Sequence, residues 1–363
     1  MYDAGAQTPT VILLIDCPCN DFYIAISHFQ ERNMPISKDF QGYDLLVRFI
    51  EEVKAGQHQT SKIKIKIRSN KVLKKMFGYM NEDMKISFDE YLAIITNAFS
   101  EDGLESNLEK SRFPFIEKIY EYCSNNWHQI EETVSFLKQV DIKQKMYSMV
   151  KKYLPKVIEP VNITIYFVLD GGDCRGFRGE VYADITLLAI LGKTKAIGLL
   201  AHEFHHSCRA EMAVPYEEDH FSEIFQVLFW LESEGIADKV YDLGAEKPDN
   251  EFEPLLKLRK TRRQIYSNAR NYLMLFDKAV QKLENPVPIF SNNSYHPVGH
   301  FMADVIESTF GTSELVKTVG DPFNFLETYN NSAKILRKPE VFVLSDETIR
   351  RLGEIRAKTR KTC

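Results

Sequence analysis

The segment His202-Glu203-Phe204-His205-His206 places two imidazoles four residues apart, with a carboxylate beside the first. A helical turn takes 3.6 residues, so in a helix His202 and His206 project from one face and can close on a single tetrahedral cation. Glu203 can then reach a water on that cation and take its proton. The preceding run from Ala196 to Ala201 is strongly apolar. Ionisable groups in such a helix are costly unless they are paired or bound to metal, so three histidines and a glutamate there need an explanation, either a cation or a hydrogen-bonded turn without metal.

A catalytic zinc bound by two histidines needs a third protein ligand and an open position for water. The residues after His206 are Ser207, Cys208, Arg209 and Ala210, which lack the glycine and third histidine of the longer H-E-x-x-H-x-x-G-x-x-H pattern. A downstream acid is then required. The next helical stretch carries Trp230-Leu231-Glu232-Ser233-Glu234-Gly235-Ile236-Ala237-Asp238, with Glu234 and Asp238 four apart on one face. Two packed helices can present His202 and His206 from one and Glu234 from the other to a common point. Asp238, one turn on, is suited to accept the other ring N–H of a ligand histidine. Iron or cobalt would satisfy the ligand types, but two imidazoles and a carboxylate suit Zn2+ best.

These two motifs, H-E-F-H-H followed by E-G-I-A-D, resemble those of the gluzincin metallopeptidases, and more narrowly those of uncharacterised bacterial families of zinc-dependent peptidases. The likeness runs over roughly residues 160–335. It implies zinc on His202, His206 and Glu234, Glu203 as general base and Asp238 in support behind a ligand. Glu232 competes as third ligand; Glu234 is preferred because it alone has an acid four residues on, and because Gly235 permits close approach of the helix to the metal. Gluzincins also use a later tyrosine or histidine to stabilise the oxyanion. Here Tyr295 and His300 are the candidates, with His296 a third. By order in the chain, residues 180–186 occupy the place of the strand whose edge receives an extended substrate.

Around these motifs the pattern predicts a mainly α protein with a small β-sheet, an α+β chain made of a helical N-terminal half and a zincin-like catalytic domain. Residues 37–155 read as successive amphipathic helices, with Ser37, Ser87 and Ser111 as N-caps. After Pro155 and Pro160 the β-branched run 161–169 predicts a strand closed by Asp170-Gly171-Gly172, and 180–186 a second strand able to pair with it. Helices are expected at about 188–208, 217–242, 252–285, 298–310, 312–319, 321–335 and 346–360. The boundary is placed near 155, giving regions 1–155 and 156–363. The basic run Lys257 to Arg263 is expected on a solvated helix face.

With 363 residues and 44% hydrophobic content, the chain can bury a large core, and its 27% charged residues are mixed in sign. A net charge of −5 offers no global attraction to nucleic acid or anionic lipid, so neither is an expected partner. Apolar runs such as Val11 to Ile15 fall well short of the roughly 20 residues that span a bilayer. Met1-Tyr2-Asp3-Ala4 is not the basic start of an export signal, and the chain reads as cytoplasmic. The six cysteines (Cys17, Cys19, Cys123, Cys174, Cys208 and Cys363) are expected as free thiols, the C-x-C pair lacking a second pair at zinc-ribbon spacing. The reading is a zinc-dependent hydrolase acting on peptide or protein substrates. The alternatives are a zinc-containing binding or regulatory protein on the same fold and a hydrolase of a non-peptide amide or ester.

Overall fold

A computed structural model describes residues 35–57, 62–100, 113–156, 162–215, 223–244 and 252–359. Ser111 and the cysteines at 17, 19 and 363 lie outside them. The first element is a strand, β1 (Ile36–Asp39), followed by α1 (Gln41–Lys54), α2 (Lys62–Ser69), α3 (Lys71–Met84), α4 (Phe88–Phe99), α5 (Pro114–Asn125), α6 (Trp127–Gln139) and α7 (Ile142–Val150). Then come β2 (Ile163–Val168), β3 (Cys174–Phe177) and β4 (Glu180–Asp184), α8 (Ile185–Leu191), α9 (Lys193–Met212), α10 (Glu223–Val240), α11 (Glu253–Ser267) and α12 (Ala269–Lys282). The chain ends with α13 (Tyr295–Phe310), α14 (Thr312–Val316), α15 (Pro322–Leu336) and α16 (Asp346–Thr359). The protein is thus mainly α with one small sheet among the described residues.

The sheet has the order β1-β2-β4-β3. β1, β2 and β4 run parallel, while β3 is antiparallel to β4, with Cys174 opposite Ala183 and Phe177 opposite Glu180. In β2, Ile163, Ile165 and Phe167 alternate into the core, which is why this β-branched run is a strand. Ser37 does not cap a helix: it lies in β1, and its hydroxyl meets that of Thr164 at 2.9 Å. Ser87 does cap α4, in a reciprocal capping box with Glu90. The stretch expected as a single helix over 252–285 is divided at Asn268, a poor helix former that ends α11 and starts α12.

Contacts cross the expected boundary at residue 155. β1 pairs with β2, and the Tyr91 and Tyr120 hydroxyls donate to the Leu169 carbonyl, the latter at 3.0 Å. His205 of α9 bonds the Tyr153 carbonyl at 3.2 Å, and one hydrophobic core runs through both halves.

Two local devices aim α9. The turn expected at 170–172 is present, with Gly171 and Gly172 at φ 81° and 108°, where a side chain would also strike Ile116 or Phe115. Above it, the buried Asp184 carboxylate accepts backbone N–H bonds from Asp170, Gly172, Thr186 and Leu187, tying the turn after β2 to the start of α8. Burial pushes this carboxyl up to about 6, and the four N–H donors act against that rise. The second device is the packing of α10 on α13. Gly235 and Gly299 face each other so closely that a Cβ on Gly299 would lie 2.2 Å from the Leu231 carbonyl oxygen, and one on Gly235 2.4 Å from the Gly299 carbonyl carbon. Gly235, expected to let its helix approach the metal, instead lets α10 touch α13.

Candidate metal centre

α9 is buried through its middle, and His202 and His206 project from one side of that buried turn. Their Nε2 atoms lie 3.1 Å apart. Glu234, on the facing turn of α10, brings Oε2 to 3.3 Å from His202 Nε2 and 3.1 Å from His206 Nε2. A tetrahedral ion with bonds of about 2.0–2.1 Å needs donor atoms roughly 3.3 Å apart, which is the size of this triangle. The His206 and Glu234 side chains are 12% and 20% exposed, so the triangle opens to solvent on that side.

The other ring nitrogens decide what the triangle can hold. His202 Nδ1 lies 3.0 Å from the Tyr241 carbonyl, which can only accept, so Nδ1 carries a proton and Nε2 is the nitrogen turned toward the triangle. His206 Nδ1 lies 3.0 Å from the Ser233 hydroxyl, which can accept its N–H and so leave Nε2 to a cation. With a ring proton on each Nδ1, two imidazole nitrogens and a carboxylate oxygen face one another, an arrangement that attracts a cation, which is a proton where no metal is bound. The electrostatics agree. Burial opposes charge on His202, but Glu234, Glu203 and Asp238 outweigh it and push the ring up to about 10. Burial likewise opposes a charge on Glu234, yet His206, His296 and the bonds from both ligand rings hold its carboxyl well below the usual range. The donor set fits zinc.

Glu203 is buried beside the triangle and receives the Gly176 N–H. Burial pushes its carboxyl up to about 8, against the pull of His202; a cation in the triangle would draw it down again. β3 lies directly on this turn of α9, since a Cβ on Gly176 would sit 2.1 Å from the Glu203 carbonyl oxygen. β4, the strand expected to offer its edge, is flanked by β2 and β3, and the strand bordering the site with an outer edge is β3.

Glu232 faces away from the triangle. It is fully buried, binds the Arg209 guanidinium through Nε at 2.8 Å and also through Nη2, and accepts the Gly320 N–H at 2.9 Å. Asp238 stands behind His202, its Oδ1 3.5 Å from Nδ1, secondary to the Tyr241 carbonyl. Its own charge faces Arg262 of α11 at 3.5 Å, and the same guanidinium meets Asp242 at 3.1 Å. Arg262 is buried, so the basic run of α11 is not wholly a solvated face.

The three later candidates separate. Tyr295 stacks on Trp230 and donates its hydroxyl to Asn293. His300 lies between Asp242 at 3.6 Å and Asp304 at 3.7 Å, one turn beyond the triangle. His296 is the one at the site, its Nδ1 3.4 Å from Glu234 Oε2 and 3.3 Å from Asp238 Oδ2. The sequence carried a signal for the pairing of these helices, though not for its register. Glu234, Asp238 and Asp242 repeat every four residues, as do His296, His300 and Asp304, and two packed helices pair such series rung by rung. Ser233 and Arg262 carried no comparable signal. A cavity of about 350 Å³ lined by Tyr266, Phe301, Asp304, Glu307 and Lys338 borders the last rung, and none of the triangle residues lines it.

A model of the family described as "Putative zinc dependent peptidase (DUF5700)" matches residues 63–338. The chain belongs to that family. No curated protein and no solved structure matches it. The family match starts in α2 and ends just beyond α15, so it takes in both the helices before residue 155 and the metal triangle.

Proposed function

We propose that this protein is a gluzincin-like zinc metallopeptidase, with His202, His206 and Glu234 as ligands and Glu203 as general base. The observation that carries the reading is the convergence of two imidazole nitrogens and one carboxylate oxygen within 3.3 Å of one another. Family membership supports the zinc-dependent peptidase part of it. Zinc bound there would supply a Lewis acid and lower the pKa of a water from 15.7 toward about 7. Glu203, held by the Gly176 N–H on the floor of the site, takes the proton of the attacking water and delivers it to the leaving amine. His296, held between Glu234 and Asp238, is the group on this chain best set to donate to the developing oxyanion. The Tyr295 ring stacks on His296 while its hydroxyl is engaged by Asn293, and His300 is engaged by Asp242 and Asp304. An extended peptide laid along β3 would pass over the Gly176 and Glu203 contact, which favours a peptide over a compact amide.

The test is zinc content by elemental analysis of wild type, Glu203→Gln and Glu234→Ala, run beside cleavage of a mixed peptide library. The expected result is about one zinc per chain, retained in Glu203→Gln and lost in Glu234→Ala, with cleavage abolished in both. Wild-type protein that takes up no zinc would refute the metal site, and zinc-loaded protein that cleaves nothing in the library would refute the peptidase assignment.

A further inference from the structure

Between residues 62 and 75 the chain carries Lys62, Lys64, Lys66, Arg68, Lys71, Lys74 and Lys75, and no acid. The whole-chain charge of −5 conceals this segregation. The seven cations sit on α2 and the first turn and a half of α3, and all but Lys64 are exposed. α2 packs inward through Ile63 and Ile67. At 100° per residue, Ile65 falls on the opposite side, and it is 70% exposed. Lys62 and Arg68 lie three residues to either side of it and so stand beside it on the outer face. The acids at the border are few: Asp89 pairs with Arg68 and Glu180 with Lys75, while Glu51 and Glu52 share with Arg48, Lys62 and Lys66 the wall of a cavity of about 410 Å³ between α1 and α2.

We propose that this face binds the surface of an anionic phospholipid bilayer, with Ile65 entering the interface among lysines that meet the headgroups. The chemistry of the patch selects that occupant. Six of the seven cations are lysines, compact point charges suited to a diffuse field of headgroups; bidentate recognition of carboxylates or phosphates in a protein or nucleic-acid partner favours arginine. Protein interfaces are depleted in lysine and anchored by aromatics, and single-stranded nucleic acid needs rings on which bases stack. No exposed large aromatic lies between residues 62 and 75, and the exposed apolar side chain there is aliphatic. Among the described residues no helix is long and apolar enough to cross a membrane, so the association is peripheral.

The test is co-sedimentation of the full chain with vesicles of phosphatidylcholine alone and vesicles containing about a third phosphatidylserine, at about 0.1 M and about 0.5 M salt. The expected result is binding to the anionic vesicles only, lost at the higher salt. Reversing Lys62, Lys66, Lys71 and Lys74 to glutamate should weaken it at least a hundredfold, at about fivefold for each charge removed. Ile65→Ser, a surface change that leaves folding untouched, should weaken it severalfold at constant charge. Equal binding to both vesicle types, or none to either, would overturn the proposal. So would a quadruple variant that binds like wild type. Indifference to Ile65→Ser, together with equally tight binding of double-stranded DNA, would reassign the patch to polyanions in general.

Discussion

Replacing Gly299 by alanine tests the link between helix packing and the metal triangle. The new methyl would stand 2.2 Å from the Leu231 carbonyl oxygen and 3.0 Å from Gly235 Cα, all of them backbone atoms that no rotamer change can move aside. Ordinary contact requires at least about 3.2 Å, so α10 and α13 must part by roughly 1 Å. Overpacking of this kind typically costs about 1–3 kcal/mol. The functional effect should be larger than the loss of stability suggests. Glu234 precedes Gly235 on α10, and His296 lies one turn before Gly299 on α13, so separation draws one of them from its place. Metal sites tolerate about 0.2 Å in donor position. If α10 moves, zinc affinity measured by competition with a chromophoric chelator should fall at least tenfold; if α13 moves, zinc stays and turnover falls. Urea denaturation of the metal-free protein separates the stability effect from both. A Gly299→Ala protein with wild-type zinc affinity, turnover and stability would refute the argument that this contact sets the site.

Ser233→Ala removes the partner of His206 Nδ1 without touching a ligand, and zinc affinity should drop about 10- to 100-fold with urea stability nearly unchanged. Glu203→Gln should leave zinc affinity intact and lower kcat by about 10²–10⁴-fold. Asp184→Ala strands four backbone N–H groups and should cost on the order of 3–5 kcal/mol in urea denaturation, well beyond an ordinary surface substitution. Glu307 is pulled down to about 2; burial acts to raise it, but Lys239, Thr312 and Lys152 outweigh that. A carboxyl depressed in the folded state stabilises above its unfolded value of 4.5 and loses that contribution as pH falls toward 2. Glu307→Gln should therefore be less stable than wild type at pH 7, by about 1 kcal/mol after solvent screening, with the gap closing between pH 4.5 and 2 in denaturation midpoints.

His202, Glu203 and His206 could be read as a unit from the chain alone because their relation is local: helical periodicity sets four residues apart on one face wherever the helix lies. The same rule marked Glu234 and Asp238 as a pair, and Ser87 was legible as a helix N-cap from its residue type. The strand at 161–169 was legible from its β-branched run. β3 was not, because four residues containing a glycine have no propensity of their own and became a strand through pairing with β4. β1 likewise exists because a distant strand, β2, supplies its partners.

The choice between His296 and His300 depended on which turn of α13 meets α10. That register comes from the contact of Gly235 with Gly299, a non-local fit that neither helix specifies alone. The partners of the two outer ring nitrogens, the Tyr241 carbonyl and the Ser233 hydroxyl, are also products of packing. So is the inward turn of Arg262, drawn from a basic run that otherwise suggested solvent by the carboxylates of Asp238 and Asp242. Residue type and spacing along one helix determined which groups could hold a metal. Contact between helices decided which of them meet, because burial and complementary charge act on the folded surface as a whole.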